Sequence, residues 1–384
     1  MVLAVPIRQR HAAPLKPRKE PATFGTLGRL SLPERRVNPC LPAGRLSPSA
    51  WARAEGKLDS SGRQVEGLTL GGASFIKFKF GFYPSISPFQ NGVERIPMGC
   101  VDLHLHTTAS DGVLSPSEIV RYAKAKGLQA IAITDHDTVE GCQEGLSEGE
   151  RIGIEVIPGI EISAEHSPGS MHILGFFLDI RHSLLTERLE YLQKARAERN
   201  PKITEKLNRL GIDITFEEVL RASGGGQVGR PHFANVLIEK KVVRNFQEAF
   251  DRFLKKGAPA YVDKVRFTSK EALHFINEAN GVAVLAHPNT LGMAGYLELE
   301  KLILQLVDEG LKGIEVYYPE HSTAEIAQYK SLAEKYGLLS TGGTDYHGME
   351  KNELDIGVGK GDMKLPYSIV ENIKAARSRS LSGR

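Results

Sequence analysis

The chain has 384 residues, 41% of them hydrophobic and 25% charged, with a formal net charge of +3. That balance is ordinary for a soluble globular protein with room for one large domain or two ordinary ones. No apolar run approaches the roughly 18 residues of a membrane span, and the scattered Cys40, Cys100 and Cys142 form no disulfide framework, which suits a reducing compartment, the cytoplasm.

The charge is unevenly spread. Residues 1–97 hold 15 Lys and Arg against 6 Asp and Glu, so the remainder is net acidic, and they contain 11 of the 20 prolines. Without sustained periodicity, this basic Pro-rich extension is expected to be disordered. The early basic residues resemble a transit peptide only faintly, because no serine precedes Ser31. Phe75 to Tyr83 alternates aromatic and lysine residues, a strand with an aromatic face or a weak nucleic-acid patch, with an incidental basic tail the better reading. A domain starting at Met98 would lack nothing.

From residue 101 strands and helices alternate. Strands are expected at Val101–His106, Ala130–Thr134, Glu155–Ser163, His172–Leu178, Val282–Ala286, Gly313–Tyr317 and Leu338–Thr341. Helices are expected at Ser117–Lys126, Leu297–Glu309, Thr323–Tyr336 and Ser368–Arg377, with Gly281, Gly310 and Gly337 closing the helices before the last strands. This rhythm argues for a parallel α/β sheet or barrel. Residues 185–270 interrupt it with helices at Leu185–Asn200, Ile203–Leu210, Phe216–Ser223, His232–Lys240 and Phe246–Lys255, an inserted helical subdomain placed to cap a site.

Ligand-type residues stand at or just after strand ends, where barrel enzymes place their chemistry. His104 and His106 alternate with Leu105 and so share one face of a strand. Asp111, His136, Glu161, His172, His287 and the pair Asp345 and His347 follow, and closure of the sheet would bring the first and last pairs together. Asp135 and Asp137 should face away from His136 and orient ligands or cap a turn. Several neutral imidazoles with carboxylates and no cysteine suit Mn²⁺, Zn²⁺ or Fe²⁺ in a catalytic site. No Gly-x-Ser-x-Gly elbow and no Walker-type phosphate loop is present.

The blocks Asp102-Leu103-His104-Leu105-His106-Thr107-x-x-Ser110-Asp111-Gly112, Thr134-Asp135-His136-Asp137, Ala286-His287-Pro288 and Thr344-Asp345-Tyr346-His347-Gly348 resemble the polymerase-and-histidinol-phosphatase (PHP) phosphoesterases over roughly residues 99–378. The resemblance implies a distorted seven-stranded β/α barrel over residues 98–384, holding two or three divalent metals, manganese favoured, with zinc, iron or magnesium as alternatives. It implies that His104, His106, Asp111, His136, Glu161, His172, His287, Asp345 and His347 are the ligands. Arg196-Ala197-Glu198-Arg199-Asn200 and Gly229-Arg230-Pro231-His232-Phe233-Ala234 resemble a narrower group, the nucleoside 3′,5′-bisphosphate phosphatases, whose close relatives trim RNA from its 5′ end.

The residues agree with that narrower likeness. Arg196 and Arg199 share a helix face, and guanidinium forks suit phosphate oxygens. With Gly112, Asn200 and Arg230 they form the expected substrate site, binding a second phosphate while the metals hold the first. The expected reaction is in-line attack of a metal-bound hydroxide on phosphorus, with His232 or a bound water as proton donor. The substrate is then a small phosphorylated nucleotide or short oligonucleotide, and no obligate protein partner is evident. Histidinol-phosphate phosphatase is the nearer rival, an amidohydrolase the more distant one.

Overall fold

The structure, a computed structural model, describes residues 99–293, 295–348 and 354–382. The basic extension and its Phe75–Tyr83 segment lie outside the described residues. All seven expected strands are present: β1 (Cys100–Leu105), β2 (Ala130–Ile133), β3 (Glu155–Ala164), β4 (Met171–Phe176), β5 (Val282–Leu285), β6 (Gly313–Tyr317) and β7 (Leu339–Gly342). A two-residue β8 (Leu365–Pro366) adds an eighth, in the order β7-β6-β5-β4-β3-β2-β1-β8. The sheet is mixed rather than parallel, because β4 runs antiparallel to both β3 and β5. Only six residues separate β3 from β4, too few for the helical crossover that a parallel pair needs.

The sheet curls into a nearly closed barrel. Past the end of β1, His106 N–H donates to the Tyr346 carbonyl at 3.0 Å and Tyr346 N–H to the His104 carbonyl at 3.3 Å, so the segment after β7 joins the first strand. The two ligand pairs therefore converge as their topology requires.

β1 is not a regular strand. Val101 and Asp102 face Ala130 and Ile131, but Leu105 faces Ile133, so one extra residue is accommodated between Asp102 and Leu105. The packing records this β-bulge. Val101 and Leu103 belong to the interior cluster with Ala130, Ala132 and Ile157, whereas Leu105 packs in the outer cluster with Ile131 and Ile133. Beyond the bulge His104 and His106 face the chamber.

Helices α1 (Pro116–Lys126) and α2 (Glu140–Ile152) cover β1 to β3. α1 starts as expected, with a Ser115–Glu118 capping box and Pro116 in the first turn. α2 was not expected, and its three glycines explain why: they depress helix propensity. In the fold, Gly145 and Gly149 let the helix approach the sheet, since a Cβ would lie 2.1 Å from Ile133 Cδ1 at the first and 2.5 Å from Val156 Cγ2 and 2.8 Å from the Ile154 carbonyl at the second. Gly149→Ala, which in an exposed helix would stabilise, is therefore expected to destabilise by about 1–3 kcal/mol in urea unfolding. A more stable variant would refute the packing argument.

The inserted helices are α3 (Ser183–Arg209), α4 (Phe216–Ala222), α5 (Arg230–Glu239) and α6 (Phe246–Ala249), the last continuing as a π-helical turn over Phe250–Leu254. The break expected at Pro201 is absent, and α3 runs through it as one helix. Its first half packs Leu185, Leu189 and Leu192 against the barrel, and its second half packs Ile203 and Leu207 into a separate core with Val219, Phe233, Leu237 and Leu254. Tertiary packing on both sides of the proline outweighs the one lost backbone hydrogen bond. The remaining helices are α7 (Ser269–Glu278), α8 (Tyr296–Asp308), α9 (Thr323–Lys335) and α10 (Ser368–Ser382). After α7 the left-handed turn falls on Asn280, φ 58°, rather than on Gly281; Gly310 and Gly337 turn as expected. Ile369, Val370 and Ile373 of α10 join the interior cluster with Val101 and Val282, at the N-terminal ends of those strands. No helix among the described residues is long and apolar enough to cross a membrane.

Candidate active site

The opposite end of the barrel collects polar groups. Glu161, wholly buried on β3, is the hub. Its Oε1 lies 2.8 Å from His172 Nδ1 and 2.9 Å from His287 Nε2. Its Oε2 lies 2.7 Å from His136 Nδ1, 3.3 Å from His106 Nε2 and 3.5 Å from His104 Nε2. Asp345 Oδ1 approaches the Nε2 atoms of His106 and His104 at 3.0 and 3.4 Å, and His347 Nε2 reaches Asp111 Oδ1 at 3.2 Å. The His106 and His347 rings stack with centroids 4.0 Å apart. The nine residues expected as ligands are thus brought together.

They fall into three overlapping nests: His106, Asp111, His136 and His347; His104, His106, Glu161 and Asp345; and His136, Glu161 and His172. In each nest one donor atom of every residue lies within 4.8 Å of the others. His104 Nε2, His106 Nε2, His136 Nδ1, His172 Nδ1 and Glu161 Oε2 are buried at this convergence yet make no hydrogen bond. Buried polar atoms are rarely left in that condition unless a ligand completes them. The donor set, imidazole nitrogen and carboxylate oxygen, fits divalent metal ions.

The carboxylates and imidazoles titrate against one another: burial opposes the charge on His104, His136 and His287, but Glu315, Asp345 and Glu161 raise the first and Glu161 raises the other two. Burial alone would push the Glu161 and Asp345 carboxyls up, but the surrounding imidazoles hold both well below the usual range. His106 is pushed down as well, to about 3, through burial and its neighbour His347. A neutral His106 beside ionised carboxylates is the state a metal requires.

Residues around the cluster fix it in place. Glu315, buried on β6, meets His104 Nδ1 at 3.0 Å and accepts from the His287 N–H at 2.8 Å. It thereby selects the His104 tautomer whose Nε2 lone pair faces the chamber. Tyr318 donates to Asp345 Oδ2 at 3.2 Å. Sequence reading missed both, although a lone carboxylate in the otherwise apolar strand Gly313–Tyr317 was a legible signal. Asp135 accepts from Thr107 N–H at 2.7 Å and Ser110 Oγ at 2.6 Å, holding the loop that carries Asp111. Gly112 belongs to the same turn, where a Cβ would sit 2.2 Å from the His106 carbonyl, so the position requires glycine. Asp137, His287 and Asp345 have positive φ values of 52°, 22° and 53°. Such backbone costs of order 1–3 kcal/mol per residue and clusters at functional sites.

A cavity of about 160 Å³ opens beside the cluster. Asp111, His136 and His172 of the cluster line it together with Arg196, Arg199, Arg230 and Lys264. Arg196 and Lys264 both pair with buried Asp137, Lys264 at 2.8 Å, and Lys264 also donates to Ser163 Oγ at 2.6 Å. Burial, then Arg196, pushes the Lys264 ammonium down to about 7, and burial, then Arg196, lowers Arg199 to about 9. Cations forced together in this way favour an anion between them. Lys264 lies in a segment without any motif, which is why it escaped notice. Asn200 supports the wall from behind: its Oδ1 accepts from Arg199 Nε and Nη2 at 3.1 and 2.8 Å, and its Nδ2 donates to the Val228 carbonyl at 3.1 Å. His232 is buried in the first turn of α5, where its Nδ1 accepts from the Gly229 N–H at 2.9 Å; the cavity wall includes Gly229 to Pro231 but not His232.

The model of the PHP domain matches residues 102–261. The chain is 31% identical to the 3′,5′-nucleoside bisphosphate phosphatase of Chromobacterium violaceum over 261 residues, 68% of this chain and 91% of that protein. It is 34% identical to the 5′-3′ exoribonuclease of Haemophilus influenzae over 64% of this chain and 89% of that one. Among solved structures, a metal-dependent phosphoesterase from Bifidobacterium adolescentis superposes with a TM-score of 0.65 at 28% identity, over 74% of this chain and 98% of the other. The sequence blocks, the barrel and these likenesses agree, and the chain belongs to the PHP family of metal-dependent phosphoesterases.

Proposed function

We propose that the protein hydrolyses the 3′-phosphate of nucleoside 3′,5′-bisphosphates and trims short 5′-phosphorylated RNA by the same chemistry. The observation that carries this is the shared cavity, lined both by Asp111, His136 and His172 of the ligand cluster and by Arg196, Arg199, Arg230 and Lys264. Asp137 offsets one of these four positive charges, and a single phosphate at the ligand cluster would leave the rest unmatched; a substrate with two phosphates engages both groups. The names of the relatives from C. violaceum and H. influenzae support that substrate class.

The nine ligand residues would hold two or three divalent ions, Mn²⁺ favoured by the mix of imidazole and carboxylate. Bound there, such ions supply Lewis acidity toward water and the phosphoryl oxygens. The chain's own residues do the rest. Arg199 and Arg230 grip the distal phosphate with guanidinium forks, Asn200 holds the Arg199 fork in plane, and Asp137 fixes Arg196 and Lys264 without neutralising the whole wall. Glu315 and Tyr318 keep His104 and Asp345 aimed. The Nδ1 of His232 is committed to its helix, so proton donation by that residue would have to come from Nε2. The buried free thiols of Cys100 and Cys142 fit a reducing compartment, the cytoplasm.

The test compares manganese-loaded protein on adenosine 3′,5′-bisphosphate, a 5′-phosphorylated oligoribonucleotide and histidinol phosphate. The first two should react at least about tenfold faster than the third. Arg230→Ala should raise KM for the bisphosphate about tenfold or more, the worth of a charge-assisted hydrogen bond, and erase the preference. Equal rates on all three substrates in the unmodified protein would sink the reading.

A further inference from the structure

His287 has a partner on the ring nitrogen that faces away from Glu161. Its Nδ1 lies 3.1 Å from the hydroxyl of Thr290, in the short helical turn Pro288–Leu291. The same hydroxyl lies 3.1 Å from two carbonyl oxygens, those of Ser170 and of His287 itself. A hydroxyl has one hydrogen to give and lone pairs with which to accept, whereas a carbonyl oxygen only accepts. Turned toward Nδ1, that hydrogen would leave the hydroxyl's lone pairs facing both carbonyls. It goes to a carbonyl instead, and the hydroxyl accepts from Nδ1–H. With the proton on Nδ1, the neutral ring keeps a bare lone pair at Nε2, the atom 2.9 Å from Glu161 Oε1.

Thr290 also joins two segments that carry ligands. Ser170 ends the turn between β3 and β4, two residues ahead of His172, and its N–H donates to the Thr290 carbonyl at 2.9 Å. His166, in the same turn, reaches the Leu291 carbonyl through Nε2 at 3.0 Å. The turn before His172 and the turn after His287 are thereby fastened to each other, and the Thr290 hydroxyl is where that fastening meets an imidazole. The backbone of His287, at φ 22°, is of the kind that persists only when its surroundings hold it.

We propose that Thr290 is a positioning residue that fixes the tautomer of His287 and so sets how tightly the site holds its metal. This rests on His287 being a ligand. The experiment measures manganese affinity of the full chain by chelator competition, beside kcat and KM for adenosine 3′,5′-bisphosphate at saturating manganese. Thr290→Val keeps the shape and removes the acceptor, and should weaken manganese binding roughly 10- to 100-fold. KM should stay where it was, because Thr290 is not among the residues that line the cavity. Thr290→Ser loses the methyl but keeps the hydroxyl, and should restore most of the affinity. A role in packing alone gives the reverse order, since valine fills the space and serine leaves a gap. In a His287→Ala background Thr290→Val should add no further loss, because it acts through that ring. If Thr290→Val does not fold, Thr290→Ser and Thr290→Ala, which differ only in the hydroxyl, provide the same contrast. Unchanged affinity in Thr290→Val, a serine variant as weak as the valine one, or a full further loss beside His287→Ala overturns the assignment. Unweakened manganese binding in His287→Ala itself would instead overturn the ligand role on which it rests.

Discussion

Glu161→Gln is expected to lower phosphate release by more than about a hundredfold at saturating manganese, beyond the 10–100-fold typical of residues that merely support a ligand. Five imidazoles lie within 3.5 Å of the two Glu161 oxygens. The amide keeps the shape but removes the charge and replaces one oxygen by a donor aimed at buried nitrogens. Both the charge balance of the nests and their geometry should fail together. Metal content measured by elemental analysis separates this from a purely kinetic effect: the variant should retain fewer ions per chain. Full metal load with an unchanged rate would show that Glu161 is not the hub.

Asp137→Asn is expected to cost about 3–5 kcal/mol of folding stability at neutral pH, because it strips the buried counter-charge from the partly buried Arg196 and Lys264. The pH dependence has a definite sign. Burial opposes ionisation of Asp137, but Lys264 and Arg196 hold its carboxyl well below the ordinary range. Its contribution is therefore complete above the unfolded-state value near 4 and is lost as pH falls toward the depressed folded value. Lys264, pushed down to about 7, sheds its proton above that pH and weakens the pair again. The stability gap between the two proteins, followed by urea unfolding across pH, should be widest between about pH 5 and 7. A gap that stays flat from pH 3 to 9 would exclude the ion pair as its cause.

Much of this was legible in the residues. Strands β2 and β5 are unbroken apolar runs of four, Ala130–Ile133 and Val282–Leu285, which burial on both faces requires, and most of the ligands stand at or just after strand ends. What escaped reading depended on contacts between distant segments. The helix at Glu140–Ile152 hides behind glycines whose purpose appears only against Ile133 and Val156. Pro201 signalled a break that two cores override. Lys264 meets Asp137 across 127 positions of sequence, with no local pattern to announce it. The antiparallel fourth strand follows from a connection too short to cross over, a length argument available beforehand.

The extra residue in β1 limits how portable the His-x-His motif is. In an unbroken pleat the two histidines would share the face of Asp102, opposite Val101 and Leu103, and would point away from the chamber. The offset between Asp102 and Leu105 swaps the faces partway along, so that the lower half of the strand fills the interior and the upper half arms it. A designer grafting Asp102–His106 onto the regular strand of another barrel would bury the imidazoles against the surrounding helices. The transferable unit is the five residues together with their one-residue slip, and a deletion at Leu103 should silence the enzyme while leaving every ligand in the sequence.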